Sequence, residues 1–171
     1  DYFNEKFLNE NIDAVYEKHE LKSIADFTAL LEKEEDLCGL NVTIPCKEKV
    51  MEYLDYVSPE ARSVGAVNVI KVTHTTDSGT VKGLKSKVTG KKEYYTEGYN
   101  SDVFGFINSI RPLLMSYHKK ALVLGTGGAS KAINYSLQKL GLDTMFVSRT
   151  ERDNMITYEQ ITPELMQEYL I

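Results

Sequence analysis

Residues 121–150, ALVLGTGGASKAINYSLQKLGLDTMFVSRT, decide the fold of this chain. They open with a short apolar run, Ala121-Leu122-Val123-Leu124, of the length and bounds of a buried strand. Glycines follow at 125, 127 and 128, and Ser130 to Leu140 then carries Ile133, Leu137 and Leu140 at helical spacing. Gly141 stops that helix, and a second apolar strand, Thr144-Met145-Phe146-Val147, runs into Ser148-Arg149-Thr150. A strand, glycine turn, helix and strand in this order is the setting in which a glycine fingerprint signifies dinucleotide binding. Glycines let backbone N–H groups approach a pyrophosphate, and the helix N-terminus favours its negative charge.

The end of the second strand refines the ligand. A site for NAD places an acidic residue about 20 residues beyond the glycines, on the ribose 2′-hydroxyl. Ser148, Arg149 and Thr150 stand there instead, and a cation with two hydroxyls suits a 2′-phosphate, so NADP is the expected cofactor. Ser130 replaces the third glycine of the fingerprint, and Glu151 follows Thr150 directly. An ordinary strand–helix–strand unit with a tight turn and no nucleotide is the bland alternative.

Working outward, the chain has 171 residues, 42% hydrophobic and 26% charged, the composition of a globular protein of one large domain or one and a half ordinary ones. Its net charge of −5 supplies no general field for nucleic acid or an acidic membrane surface. Lysine-rich Lys82–Lys92 and His118-Lys119-Lys120 read as solvated loops. No membrane span and no signal peptide are expected. Cys38 and Cys46, without a neighbouring histidine or third thiol, read as reduced thiols of a cytoplasmic protein and not as a metal site. The chain starts at Asp1 without an initiator Met and stops at Leu170-Ile171, where an apolar strand is beginning, so it reads as a piece truncated at both ends.

Upstream of the fingerprint, strands alternate with helices, which predicts an α/β fold. Tyr2–Leu8 reads as a helix, Ile12–His19 as a strand, Cys38–Ile44 as a strand and Val64–Val72 as mainly strand. Ser23 with Asp26 forms a capping-box pattern, and Ser58-Pro59-Glu60 and Thr162-Pro163-Glu164 are helix starts. Polar, lysine-rich Thr73–Glu97 suggests a hairpin or long exposed loop, Asp102–Ile110 a helix. The boundary between two domains is expected near residues 111–119, giving 1–112 and 113–171.

Three polar motifs fall at strand ends of the first domain, where open α/β sheets place ligands. They are Asn41-Val42-Thr43-Ile44-Pro45-Cys46-Lys47, Gly65-Ala66-Val67-Asn68 and Gly98-Tyr99-Asn100-Ser101-Asp102. Pro45 fixes a turn that aims Lys47 beyond its strand, and Asn68 offers both donor and acceptor. Lys47 also suits a surface position, Asn68 an edge strand, and Asp102 the N-cap of its helix, a place it can combine with chemistry. Hydride transfer from an alcohol requires a proton acceptor at the hydroxyl, and a lysine–carboxylate pair can serve. Lys47 and Asp102 are the only such pair in motif-like settings; His19, His74 and His118 have no partner motif.

In order and spacing, NVTIPCK, GAVN, GYNSD and GTGGASKA followed by SRT resemble the shikimate dehydrogenase family, from about residue 2 to 171. The resemblance implies an N-terminal α/β substrate domain followed by the first part of a Rossmann-like NADP-binding domain, with the active site in the cleft between them. It implies reversible NADPH-dependent reduction of 3-dehydroshikimate to shikimate, in aromatic amino-acid (chorismate) biosynthesis. By position, Lys47 resembles the catalytic lysine, Asp102 its aspartate, and Thr43 and Asn68 residues that bind substrate hydroxyls. Gly125, Gly127, Gly128 and Ala129 look like the pyrophosphate loop, and Ser148, Arg149 and Thr150 match an Asn-Arg-Thr element on the 2′-phosphate, with Ser for Asn. Cys46 departs from the bulky residue usual beside the lysine, and the family's carboxylate-gripping Ser-x-Ser motif would lie before Asp1. A quinate/shikimate dehydrogenase of broader specificity and a non-catalytic binding module are the competing readings. A small-molecule substrate and a monomer or homodimer are expected, with no nucleic acid, membrane or metal.

Overall fold

The protein is described here by a computed structural model covering residues 2–74, 94–152 and 154–171. Two sheets organise it. The first has strands β1 (Gly39–Asn41), β2 (Tyr56–Val57), β3 (Val69–His74) and β4 (Tyr94–Tyr99) in the order β1-β3-β4-β2. β3 runs antiparallel to both β1 and β4, while β2 is parallel to β4. The second holds β5 (Lys120–Leu124), β6 (Asp143–Ser148) and β7 (Met155–Thr157), all parallel and in sequence order. Helices α1 (Tyr2–Asn9), α2 (Phe27–Lys33), α3 (Pro59–Val64), α4 (Ser101–Ile110), α5 (Gly128–Lys139) and α6 (Pro163–Glu168) complete an α/β architecture.

Helix boundaries follow local chemistry. Ser23 and Asp26 make the reciprocal capping box at the start of the tight turn Ile24–Asp26, which leads into α2. Ser58 caps α3 with its hydroxyl on the Ala61 amide, Pro59 takes the first helical position, and Gly65 ends the helix at a φ of 72°. Thr162 caps α6 in the same way, with Pro163 following.

Three differences from the sequence expectation have physical reasons. Ile12–His19 is not a strand: the Tyr16 backbone N–H and carbonyl pair with the Asn4 side chain at 2.7 and 3.0 Å instead of with a neighbouring strand. Val64–Val72 begins as the last residue of α3 and a Gly65–Asn68 connection, and becomes strand only at Val69. Asn100, not Asp102, caps α4, accepting the Asp102 and Val103 amides at 3.0 and 3.3 Å. The apolar Met155-Ile156 pair was too short a signal to reveal β7. The expected hairpin or loop over Thr73–Glu97 is flanked by β3 and β4, paired from His74↔Tyr94 onward; residues 75–93, with the lysine cluster, lie outside the described residues.

The first sheet buries Ile70, Val72 and Tyr94 against Phe27 and Leu31 of α2, Ala61 of α3 and Val50. The second buries Ala121 and Val123 of β5 against Leu137 of α5. A smaller cluster joins the two: Val64, Ala66 and Val103 meet Ala132 of α5, and the Ser136 hydroxyl donates to the Ala132 carbonyl at 2.7 Å and reaches the Val103 carbonyl at 3.5 Å. Helix α4 thus packs on both sides, since Phe106 also lies against the β5 cluster. At Gly98 in β4 an added Cβ would sit 2.5 Å from Leu54 Cδ1 and 2.9 Å from Cγ2 of fully buried Val67. Leu54 can turn aside, but Val67 has no room to do so. Gly98→Ala is therefore expected to destabilise the fold by about 1–3 kcal/mol in denaturant unfolding, and an unchanged midpoint would contradict this packing.

Candidate functional site

The three polar motifs of the first sheet converge on one end of it. Because β3 runs antiparallel to β1 and β4, the carboxyl ends of β1 and β4 meet the amino end of β3. Lys47 follows the first, Asp102 the second, and Asn68 precedes the third. Backbone hydrogen bonds fix the three segments together. The Asn68 N–H donates to the Tyr99 carbonyl at 3.0 Å, its carbonyl accepts from Val42 N–H at 2.8 Å, and Val67 N–H donates to the Lys47 carbonyl at 2.8 Å.

On this frame Lys47 Nζ donates to Asp102 Oδ2 at 2.7 Å. The Asn68 amide donates to Asp102 Oδ1 at 2.8 Å and to Ser101 Oγ at 3.1 Å, and its oxygen accepts from Ser101 N–H at 2.9 Å. Both carboxylate oxygens are thus held, one by an ammonium and one by an amide. The Lys47 side chain is 16% exposed and that of Asp102 35%, a partly desolvated pair with one open side. There a charge-assisted hydrogen bond is stronger than on a fully hydrated surface. Lys47 has three N–H donors, so those not bonded to Asp102 can serve a ligand oxygen.

Asp102 is free for this arrangement because it is not the cap. Asn100 takes that position, its own amide donating to the Ala66 carbonyl at 2.9 Å in a buried setting. Thr43 lies exposed in the turn after β1, where its carbonyl accepts from Cys46 N–H at 2.9 Å and the Ile44–Pro45 peptide is cis. Cys46 beside Lys47 is half-buried and free. Next to the site, burial pushes the Tyr99 phenol up, helped by its hydrogen bond to Glu97, so it stays uncharged at neutral pH.

A second constellation surrounds a cavity of about 550 Å³ at the carboxyl ends of β5 and β6. Gly125, Thr126 and Gly127 form one wall; Ser148, Arg149 and Thr150 form another. Gly125 adopts a φ of 95° and its N–H donates to the Val147 carbonyl at 2.8 Å, which seats the turn on β6. Gly127 precedes α5 without a capping side chain, leaving the first N–H groups of that helix without one. The buried Ser148 hydroxyl accepts from Thr150 N–H at 3.2 Å, the local turn that a side-chain amide there would also make. Arg149 and Thr150 are exposed just beyond it.

Gly128 and Ala129 occupy the first turn of α5 and do not line this cavity. Gly128 has a different neighbour: an added Cβ would lie 3.3 Å from Ala66 Cβ and 3.4 Å from Lys47 Cβ. The glycine turn therefore abuts the segment that carries the Lys47–Asp102 pair. Three residues of the cavity were not singled out from the sequence: Thr126, inside the glycine turn, and Arg152 and Tyr158 beyond it. Arg152 repeats the cationic chemistry of Arg149 three positions on, a signal present in the sequence; Tyr158 depends on β7, which was not recognised. Backbone N–H groups facing two guanidinium groups suit a ligand with phosphates at both ends of a nucleoside.

Residues 1–70 match the family model of the shikimate dehydrogenase substrate binding domain. A shikimate dehydrogenase (NADP(+)) of Caldicellulosiruptor saccharolyticus is 29% identical over 168 residues, 96% of this chain and 53% of the relative. One from Aquifex aeolicus is 36% identical over 147 residues, 82% of the chain and 46% of the relative. The crystal structure of shikimate dehydrogenase 1 from Peptoclostridium difficile superposes with a TM-score of 0.70 at 29% identity, covering 92% of this chain and 54% of that one. The Thermus thermophilus enzyme in complex with NADP(H) and shikimate gives 0.65 at 27% identity, covering 96% and 53%. The chain spans about half the length of the curated relatives it matches. With the substrate-domain match at its start and likeness to whole enzymes running on into the glycine turn and β6, the chain is similar to the shikimate dehydrogenases along nearly its whole length.

Proposed function

We propose that this chain forms the substrate-binding unit, residues 1–112, and the leading part of the cofactor-binding unit, residues 113–171, of an NADP-dependent shikimate dehydrogenase. The reaction is the reversible reduction of 3-dehydroshikimate to shikimate in aromatic amino-acid biosynthesis, in the cytoplasm. Among the described residues no helix is long and apolar enough to cross a membrane. One observation carries the reading: the Lys47–Asp102 pair at 2.7 Å, braced by Asn68 and packed beside the glycine turn.

Bound NADP supplies the hydride donor or acceptor. Gly125, Thr126 and Gly127 would hold its pyrophosphate, Ser148, Arg149, Thr150 and Arg152 its 2′-phosphate; the two walls of the cavity fit that division. The work of this chain is at the substrate oxygen. In reduction Lys47 donates a hydrogen bond and then a proton to the carbonyl oxygen as it gains charge. In oxidation the pair takes the proton of the hydroxyl back. Asp102 holds the ammonium in place, and Asn68 holds Asp102, so the proton donor is positioned before substrate arrives. Thr43, exposed on its turn, is read as a contact to the remaining substrate hydroxyls, and Asn68 as one that would exchange its Ser101 hydrogen bond for a substrate hydroxyl.

Assays in the full length that the gene encodes, with shikimate and NADP and absorbance of the reduced cofactor as readout, test this. Lys47→Ala is expected to lower kcat by roughly 10²–10⁴-fold with the fold intact, whereas undiminished turnover would remove Lys47 from the chemistry. Arg149→Asp is expected to raise the KM for NADP by roughly 10- to 100-fold, as loss of a charged hydrogen bond requires. Use of NAD as readily as NADP by the unaltered protein would overturn the 2′-phosphate assignment.

A further inference from the structure

Tyr158 has no part in the proton-transfer site, yet it closes one side of the nucleotide cavity. Its position is set by strand register. Strands β6 and β7 are parallel with Ser148 opposite Thr157, so Arg149 and Tyr158 are the first residues beyond two neighbouring carboxyl ends. Adjacent parallel strands lie about 4.8 Å apart, which makes the two residues neighbours on the rim. The turn that carries Tyr158 is held by a capping box: Thr157 N–H donates to Gln160 Oε1 at 2.7 Å. Tyr158 is 43% exposed, and among the described residues its hydroxyl makes no hydrogen bond. A half-exposed aromatic residue on a capped turn, lining one cavity with two arginines, has the chemistry of a stacking platform.

We propose that Tyr158 is the adenine-binding residue of this site: its ring stacks on the base of the cofactor, while Arg149 and Arg152 take the adjoining 2′-phosphate. This rests on the NADP reading above. A base has a π-face whether or not its ribose carries a phosphate, so the ring contributes to affinity but not to the choice between NADP and NAD. Selectivity belongs to the arginines, and grip on the base to Tyr158.

The test uses this chain with two probes that contain only the adenosine end of the cofactor, adenosine 2′,5′-bisphosphate and adenosine 5′-monophosphate, titrated by calorimetry. The unaltered chain is expected to bind the bisphosphate more tightly than the monophosphate; equal or absent binding would overturn the NADP reading itself. Given that preference, Tyr158→Ala is expected to weaken both probes by the same factor, roughly 5- to 50-fold, and so to leave their ratio unchanged. Tyr158→Phe, which keeps the ring, is expected to bind both within about twofold of the unaltered chain. Bisphosphate affinity undiminished in Tyr158→Ala would overturn the stacking role, as would a Phe variant as weak as the Ala variant. Loss confined to the bisphosphate would assign the hydroxyl to the phosphate and overturn it equally.

Discussion

The hydrogen bond from the Val67 amide to the Lys47 carbonyl is the constraint on which the site depends. Val67 and Ala66 are fully buried, so the turn that bears Lys47 is tied to a segment that cannot move without disturbing the core. One residue later the Asn68 backbone is bonded to β4 through Tyr99 and to the end of β1 through Val42, while its side chain holds Asp102 and Ser101. A four-residue connection thus fixes three chain segments that are distant in sequence. The Asn68 amide and both Asp102 oxygens have partners, which is what makes a partly buried ionic network rigid instead of costly.

The same connection sets the distance to the cavity beside the glycine turn. Ala66 and the Lys47 side chain are the atoms that Gly128 faces, and any larger residue at Gly128 would press on both. Around this contact Val64, Ala66, Val103 and Ala132 form an apolar seam between α3, α4 and α5. Lys131–Glu48 and Lys139–Glu60 flank the seam at 2.8 and 2.9 Å. All four of these side chains are substantially exposed, so they add little energy and the apolar seam does the holding. In the proposed reaction this proximity matters, because hydride and proton leave or reach neighbouring atoms of one substrate.

Much of this was legible in the sequence because local rules and tertiary structure agree. Gly125, Gly127, Ser148, Arg149 and Thr150 sit around one cavity because a strand–turn–helix–strand unit has essentially one way to fold. The helix starts at Ser58 and Thr162 follow from side-chain caps acting within four residues. What stayed hidden depends on distant partners. Ile12–His19 alternates like a strand, yet Asn4 captures its Tyr16 backbone. The choice of Asn100 over Asp102 as cap is decided by Ala66 and Lys47, which draw the two side chains in different directions. Tyr158 joins the cavity only through β7, a three-residue strand whose pairing with β6 no periodicity in the chain announces.

The central claim is that Lys47 and Asp102 act as one proton-transfer unit, and a double-mutant cycle on kcat addresses it most directly. Groups that work as a unit give grossly non-additive losses. The expected result is that Lys47→Met combined with Asp102→Asn loses no more activity than the more damaging single change. Losses that multiply, with each substitution acting in full in the background of the other, would contradict the account.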